Sequence, residues 1–221
     1  MRITLALTLL FMLLAAIGCE SRPAVHRGPG DVGRAPAAEL EGPYDGDGFT
    51  IQPPRDWRKE KVSARNPLTG NLEKDTVLKP GANHATMRDS HARVVVSWVE
   101  LPVDGPMVES PDALAEVCEH AIESKDRKLI NRELRMDGPR MVATFEVLTE
   151  LKDGTERHYI VNVLDPAWGG RAFWRVAASC WSDWWDYASP MMLRSLESAR
   201  FIRKPTHEFD VPPGMREEER R

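Results

Sequence analysis

Very little in this chain speaks for chemistry. No Gly-x-Ser-x-Gly elbow, phosphate-binding loop or dinucleotide fingerprint occurs in its 221 residues, so the common nucleophile and nucleotide motifs are missing. Three cysteines are too few for a disulfide scaffold, and none stands in a zinc-type Cys/His spacing with the six histidines. The 30 basic side chains are scattered among 34 acidic ones and form no stripe interleaved with aromatics, which argues against a nucleic-acid partner. Long apolar runs are lacking as well, with one exception at the start.

That exception is Ile3 to Ile17, fifteen residues broken only by Thr4 and Thr8 and preceded by Arg2. It has the length of a secretory h-region and is short for a membrane span. Ala16-Ile17-Gly18-Cys19 closes it and resembles the lipobox of bacterial lipoproteins, with Ala16 where that pattern favours Leu. The resemblance implies cleavage before Cys19 and lipid on that cysteine, hence a membrane-held, periplasm-facing protein of the bacterial envelope. Asp after the cysteine is the usual inner-membrane retention signal in enteric bacteria; Glu20 stands there instead and points to the outer membrane. Several acyl chains on one residue anchor stably, since each buried methylene adds about 0.8 kcal/mol.

Composition then divides the chain. Residues 1–18 are the signal, and residues 19–45 are rich in Pro, Gly and Ala with few large apolar side chains, which predicts a disordered tether. As coil it would reach roughly 25–30 Å. Residues 46–203 are long enough for one domain with its own core. Residues 204–221 carry charges and prolines without periodicity and read as a disordered tail.

Within the domain, extended segments are expected at Phe49–Gln52, Trp57–Ser63 and Thr76–Lys79, the first stopped by Pro53-Pro54. Arg93–Glu100 is apolar on both faces and reads as a central strand. Ser110-Pro111-Asp112 is a helix start, and Leu114, Val117, Cys118, Ala121 and Ile122 form its apolar stripe. A meander of Ile130–Met136, Met141–Thr149, Glu156–Leu164 and Arg171–Trp181 follows, with turns at Asp137-Gly138-Pro139 and Lys152-Asp153-Gly154. A second helix, interrupted at Pro190, leads to a short closing strand near Phe201.

Gly48 to Trp57, GFTIQPPRDW, and Leu196 to Arg203, LESARFIR, resemble the opening and closing segments of PsbP-like domains. The resemblance implies an α+β fold, an antiparallel β-sheet flanked by helices in the α/β/α sandwich of the Mog/PsbP type. It implies protein binding in a membrane complex and supplies no catalytic residues.

With Cys19 spent on lipid, Cys118 and Cys180 remain as an even pair in an oxidising compartment. Cys118 faces the sheet from its helix and Cys180 lies on the more apolar face of the last strand. A disulfide in one shared layer and two buried free thiols are both open readings. Asp165 and Asp183 fit turn and capping roles better than acid/base catalysis, and His84, His91 and His120 read as solvated.

WSDWWDY gathers Trp181, Trp184, Trp185 and Tyr187 at a strand-to-helix junction. Adjacent Trp184 and Trp185 cannot both face one way on a helix. Either the rings plug the end of the core, or an exposed indole stacks on a sugar or enters a partner's pocket. The expectation is a lipoprotein without enzymatic activity, metal or cofactor that serves as an adaptor or assembly factor for an envelope protein. A glycan-binding module using the aromatic cluster is the alternative.

Overall fold

A computed structural model describes residues 39–65, 72–105, 107–122 and 125–206. The signal segment, Cys19, most of the expected tether and residues 207–221 of the tail lie outside the described residues.

Among the described residues ten strands form two sheets: β1 Tyr44–Asp45, β2 Phe49–Ile51, β3 Trp57–Arg65, β4 Leu72–Pro80, β5 Arg93–Glu100, β6 Arg127–Asp137, β7 Arg140–Leu151, β8 Gly154–Leu164, β9 Ala172–Trp181 and β10 Arg200–Phe201. The larger sheet has seven strands in the order β3-β4-β5-β9-β8-β7-β6, and every neighbouring pair is antiparallel. The smaller has the order β1-β2-β10. The helices are α1 Ala85–Asp89, α2 Pro111–Ile122 and α3 Trp185–Glu197. The molecule is therefore mostly antiparallel sheet with few helices.

The meander follows from its turns. Gly138 has a φ of 60° and takes the first of two turn positions between Asp137 and Arg140, where hairpins of matching twist need positive φ. Lys152 and Asp153 form the next two-residue loop, between Leu151 and Gly154. Strand β6 carries a bulge at Ile130, where the register shifts between Leu129 and Asn131.

Side-chain alternation gives the large sheet two different faces. On the first, Val94, Val96, Trp174, Val176 and Ala178 join Trp185, Met191 and Met192 of α3 in one core. The small sheet closes that core: Trp174 stacks on Phe201 with centroids 5.6 Å apart and meets the edge of Phe49 at 5.3 Å. Gly48 has a φ of 91°, and a Cβ there would sit 2.4 Å from the Arg203 carbonyl oxygen, so the entry to β2 requires glycine. On the second face, Phe145, Leu164 and Phe173 pack with Leu114, Cys118 and Ile122 of α2. Ser110 caps α2, its Oγ accepting the Ala113 N–H at 3.1 Å.

The two helices cover opposite halves of the sheet. Helix α3 packs on β9 and β5, whereas α2 packs on β7 and β6. Val95 is therefore only half-buried, although a strand apolar on both faces suggested full burial.

Several expectations are corrected. Residues 39–45, assigned to the tether, are bound in the fold: Leu40 bridges Pro54, Glu41 N–H donates to Pro53 at 2.8 Å, and Tyr44–Asp45 is β1. At the other end Thr206, assigned to the tail, donates its N–H to Asp47 at 2.9 Å. Helix α3 runs unbroken through Pro190; Pro190 and Asp186 are both exposed, so the carbonyl that proline leaves unpaired faces water. Strand β4 is nine residues long rather than four.

Candidate functional site

Because α3 stops over β9, the first face of β6, β7 and β8 is left as an open trough. Alternation turns Val142 and Thr144 of β7, and Tyr159, Val161 and Val163 of β8, onto its floor. Leu193 and Leu196 of α3, Ala199 and Phe201 form one wall, and β6 forms the other. The cavity measures about 710 Å³, within the size range of small-ligand pockets.

Its rim is charged. Arg135, Arg140 and Arg200 stand there with Asp137 and Glu197. Arg140 is held by Asp165, whose carboxylate accepts its Nε–H at 2.9 Å, and by Trp168, 5.6 Å from its guanidinium. Arg200 donates to the Glu197 and Ala199 carbonyls at 2.9 and 2.8 Å. Thr144 is 5% exposed, and its hydroxyl has no hydrogen-bond partner among the described residues. Burial pushes the Tyr159 hydroxyl pKa up, and Glu133, Glu146 and Glu197 add to the rise while Arg135 opposes it. Tyr159 therefore stays a protonated donor at neutral pH.

The outer wall, β6, is one end of the sheet. Nearly all of its side chains are exposed, including Leu129 at 40%, Ile130 at 45% and Met136 at 53%. Four basic residues, Arg127, Lys128, Arg132 and Arg135, share it with Glu133 and Asp137. Arg132 is engaged by Glu119 of α2 at 2.8 Å.

The second face carries a polar row across four strands: Asp75 shares a side-chain hydrogen bond with Ser97, Ser97 stands opposite Arg175, and Arg175 stands opposite Asn162. Arg175 Nε–H donates to Asn162 Oδ1 at 2.8 Å, and Asn162 Nδ2–H donates to the Ala143 carbonyl at 3.3 Å. Burial raises the pKa of Asp75, against the Ser97 hydrogen bond and the Arg175 charge.

The residues singled out from sequence do not form one site. Trp181, Trp184 and Trp185 are 5%, 5% and 7% exposed, and Tyr187 is half-buried with its ring 5.8 Å from Trp184. The exposed-indole reading is corrected: all three indoles belong to the buried core that also holds Met191 and Met192 of α3. Arg157 lies 4.9 Å over the Trp185 ring and completes its cover. Cys118 and Cys180 are both free and buried, but on opposite faces of the sheet, because α2 covers the face that Phe173 and Arg175 share while Cys180 points to α3. The bridge is corrected accordingly. Burial pushes Cys118 to about 11 and Cys180 to about 12, so both are thiols rather than nucleophilic thiolates at neutral pH.

Asp165 caps the 3-10 turn at Pro166–Trp168, accepting the Ala167 N–H at 3.0 Å, while Asp183 is exposed. His84 contacts the Arg55 carbonyl at 2.9 Å and His91 lies 5.0 Å from the Trp181 ring. The described residues hold no group of three His, Cys, Asp or Glu poised for a metal.

Sequence reading missed the trough. Its signal was present in Val142-x-Thr144 and Tyr159-x-Val161-x-Val163, but which faces are covered depends on where two helices land.

Among the described residues a seven-stranded antiparallel sheet, with α2 packed on one face and α3 on the other, is the architecture these elements define. No protein-family model matches the chain, and no curated protein matches it. Among solved structures it is similar to the solution structure of cyanobacterial PsbP, CyanoP, from Synechocystis sp. PCC 6803, at 20% identity over 78% of this chain and 96% of that one, with a TM-score of 0.49. It is also similar to PA94 from Pseudomonas aeruginosa, a protein of unknown function described as a putative regulator, at 12% identity over 72% and 95% of the two chains, with a TM-score of 0.40.

Proposed function

We infer that the protein is an envelope lipoprotein, anchored through Cys19 and facing the periplasm, whose PsbP-like domain works as a non-enzymatic adaptor. The observation that carries the reading is β6. Three of its large apolar side chains are exposed on a sheet end beyond which no strand lies among the described residues. Such an edge accepts an extended segment of another protein through main-chain hydrogen bonds, and four basic residues against two acidic ones favour an acidic segment.

The PsbP-like part of the reading is supported by the two segments that carry the sequence resemblance, which pair with each other as β2 and β10. The glycan alternative loses its motive, since the indoles it needed are buried.

The test is a photo-crosslinking residue placed in living cells at Leu129 or Met136, with Val103, 84% exposed on a loop, as control. The adaptor reading expects one defined protein adduct from both β6 positions, none from Val103, and loss of both when Cys19→Ala prevents anchoring. Equal labelling from Val103, or no adduct from β6, overturns it.

A further inference from the structure

We propose that the outer edge of β6 takes an amphipathic β-strand of its partner, antiparallel, with alternate apolar side chains on the α2 side and acidic residues following at the Arg127 end. The proposal rests on the reading of β6 as a partner edge and names the kind of strand that edge fits.

Register against β7 shows what each side of the edge offers. From Asn131 to Asp137 the strand pairs with β7 without a break. Arg132, Leu134 and Met136 stand opposite Phe145, Ala143 and Met141, which all belong to the core under α2, so they share the α2 side of the sheet. Asn131, Glu133, Arg135 and Asp137 turn to the other side, and all four are polar. The edge is therefore apolar on one side and polar on the other, with Arg132 tied to Glu119 of α2 at 2.8 Å.

An added strand continues this pattern, because residues opposite one another in neighbouring strands share a face. Apolar side chains at every second position would cover Met136, which is 53% exposed, and Leu134, which is partly buried against the α2 core. They would extend that core by one strand. The residues between them meet a row in which Glu133 already lies 3.9 Å from Arg135, so uncharged polar side chains suit those positions.

The alternation stops at the bulge. Beyond it stand Arg127 and Lys128, and neither enters an ion pair among the described residues. Their charges set the direction of the incoming strand. Acidic residues belong past the bulge, and antiparallel pairing, the more stable of the two ladders, places them C-terminal to the apolar stretch.

The experiment uses the full-length protein and a fluorescein-labelled peptide, Val-Ser-Val-Thr-Val-Ser-Gly-Glu-Glu, read by fluorescence anisotropy. The peptide is expected to bind. A block-ordered peptide of the same composition, which cannot set its valines on one side, and a peptide ending in two lysines bind at least about tenfold more weakly. N-methyl groups on one alternate set of backbone amides abolish binding and on the other set are tolerated, since only every second N–H of a strand faces a given neighbour. Met136→Asp weakens the peptide by about tenfold or more. Lys128→Glu removes the preference for the acidic end, and Lys152→Glu, in the exposed turn between β7 and β8, alters neither property. Thermal melts of the variants report that the fold is kept.

Equal binding of the block-ordered or lysine-ended peptide overturns the proposal, as does tolerance of both N-methylated sets or binding that Met136→Asp leaves unchanged. Absence of peptide binding by a protein that still gives the β6 photo-adduct in cells overturns the strand inference and leaves the adaptor reading standing. Peptide binding with no adduct in cells does the reverse.

Discussion

Gln52 and Ser198, 146 positions apart, are joined by a hydrogen bond of 2.8 Å from the Gln52 N–H to the Ser198 Oγ. The neighbouring Ser195 Oγ donates to the Gln52 carbonyl at 2.7 Å, so both backbone groups of Gln52 are satisfied by the end of α3. This pair of contacts holds the opening segment of the domain to its closing one, where β2 meets β10.

Ser198→Ala leaves the Gln52 N–H without its acceptor. A loss of about 1–3 kcal/mol in unfolding free energy is expected, read by urea denaturation with an unchanged m-value. A smaller change would mean that water replaces the hydroxyl.

The thiols give a second expectation. With Cys118 and Cys180 buried on opposite faces and both pKa values raised, to about 11 and about 12, neither reacts with a thiol reagent at pH 8 in the native protein. Both become titratable in denaturant, and reductant leaves the melting temperature unchanged. Protection of either cysteine in the denatured, oxidised protein would restore the bridge.

These cysteines also mark what sequence patterning reads well and what it misses. Alternation placed Cys180 with Trp174 and Val176, and helical periodicity placed Cys118 with Leu114 and Ile122; each assignment holds. Neither pattern says which face of the sheet a helix covers, since that depends on crossings between elements far apart in sequence. The same gap hid the trough: Val142 and Val161 are legible as apolar strand positions, but the opening above them follows from α3 ending over β9. WSDWWDY misled for a related reason, because a strand end and a helix start give the three indoles separate directions into one core.

His158 supplies a pH dependence. Burial lowers its pKa from the ordinary 6.5, and the Arg93 and Arg127 charges act in the same direction while Glu156, 3.6 Å away, opposes them. The folded state thus binds a proton less readily than the unfolded chain. Its contribution to stability is complete above about pH 6.5 and is lost as pH falls through that value towards the lowered folded pKa. Unfolding free energy measured between pH 7.5 and 5 should fall less steeply in His158→Gln than in the parent; parallel curves would show that the ring titrates as it does in the unfolded chain.

The buried indoles give the largest effect. Trp185 is 7% exposed, packs in the core beneath α3 and lies under Arg157, whose Nε–H donates to Glu146 at 2.7 Å. Truncation removes an aromatic ring from a packed interior and uncovers the guanidinium that it stacks on. Trp185→Ala should therefore cost about 3–5 kcal/mol, and Trp184→Ala, at 5% exposure, a similar amount. Trp185→Phe keeps a ring in the cavity and should recover more than half of the loss. Iodide quenching supplies the independent reading, because a surface indole is quenched in proportion to its exposure. If Trp185→Ala removes quenchable fluorescence and leaves stability within about 0.5 kcal/mol of the parent, the ring sits on the surface and the carbohydrate-stacking reading returns.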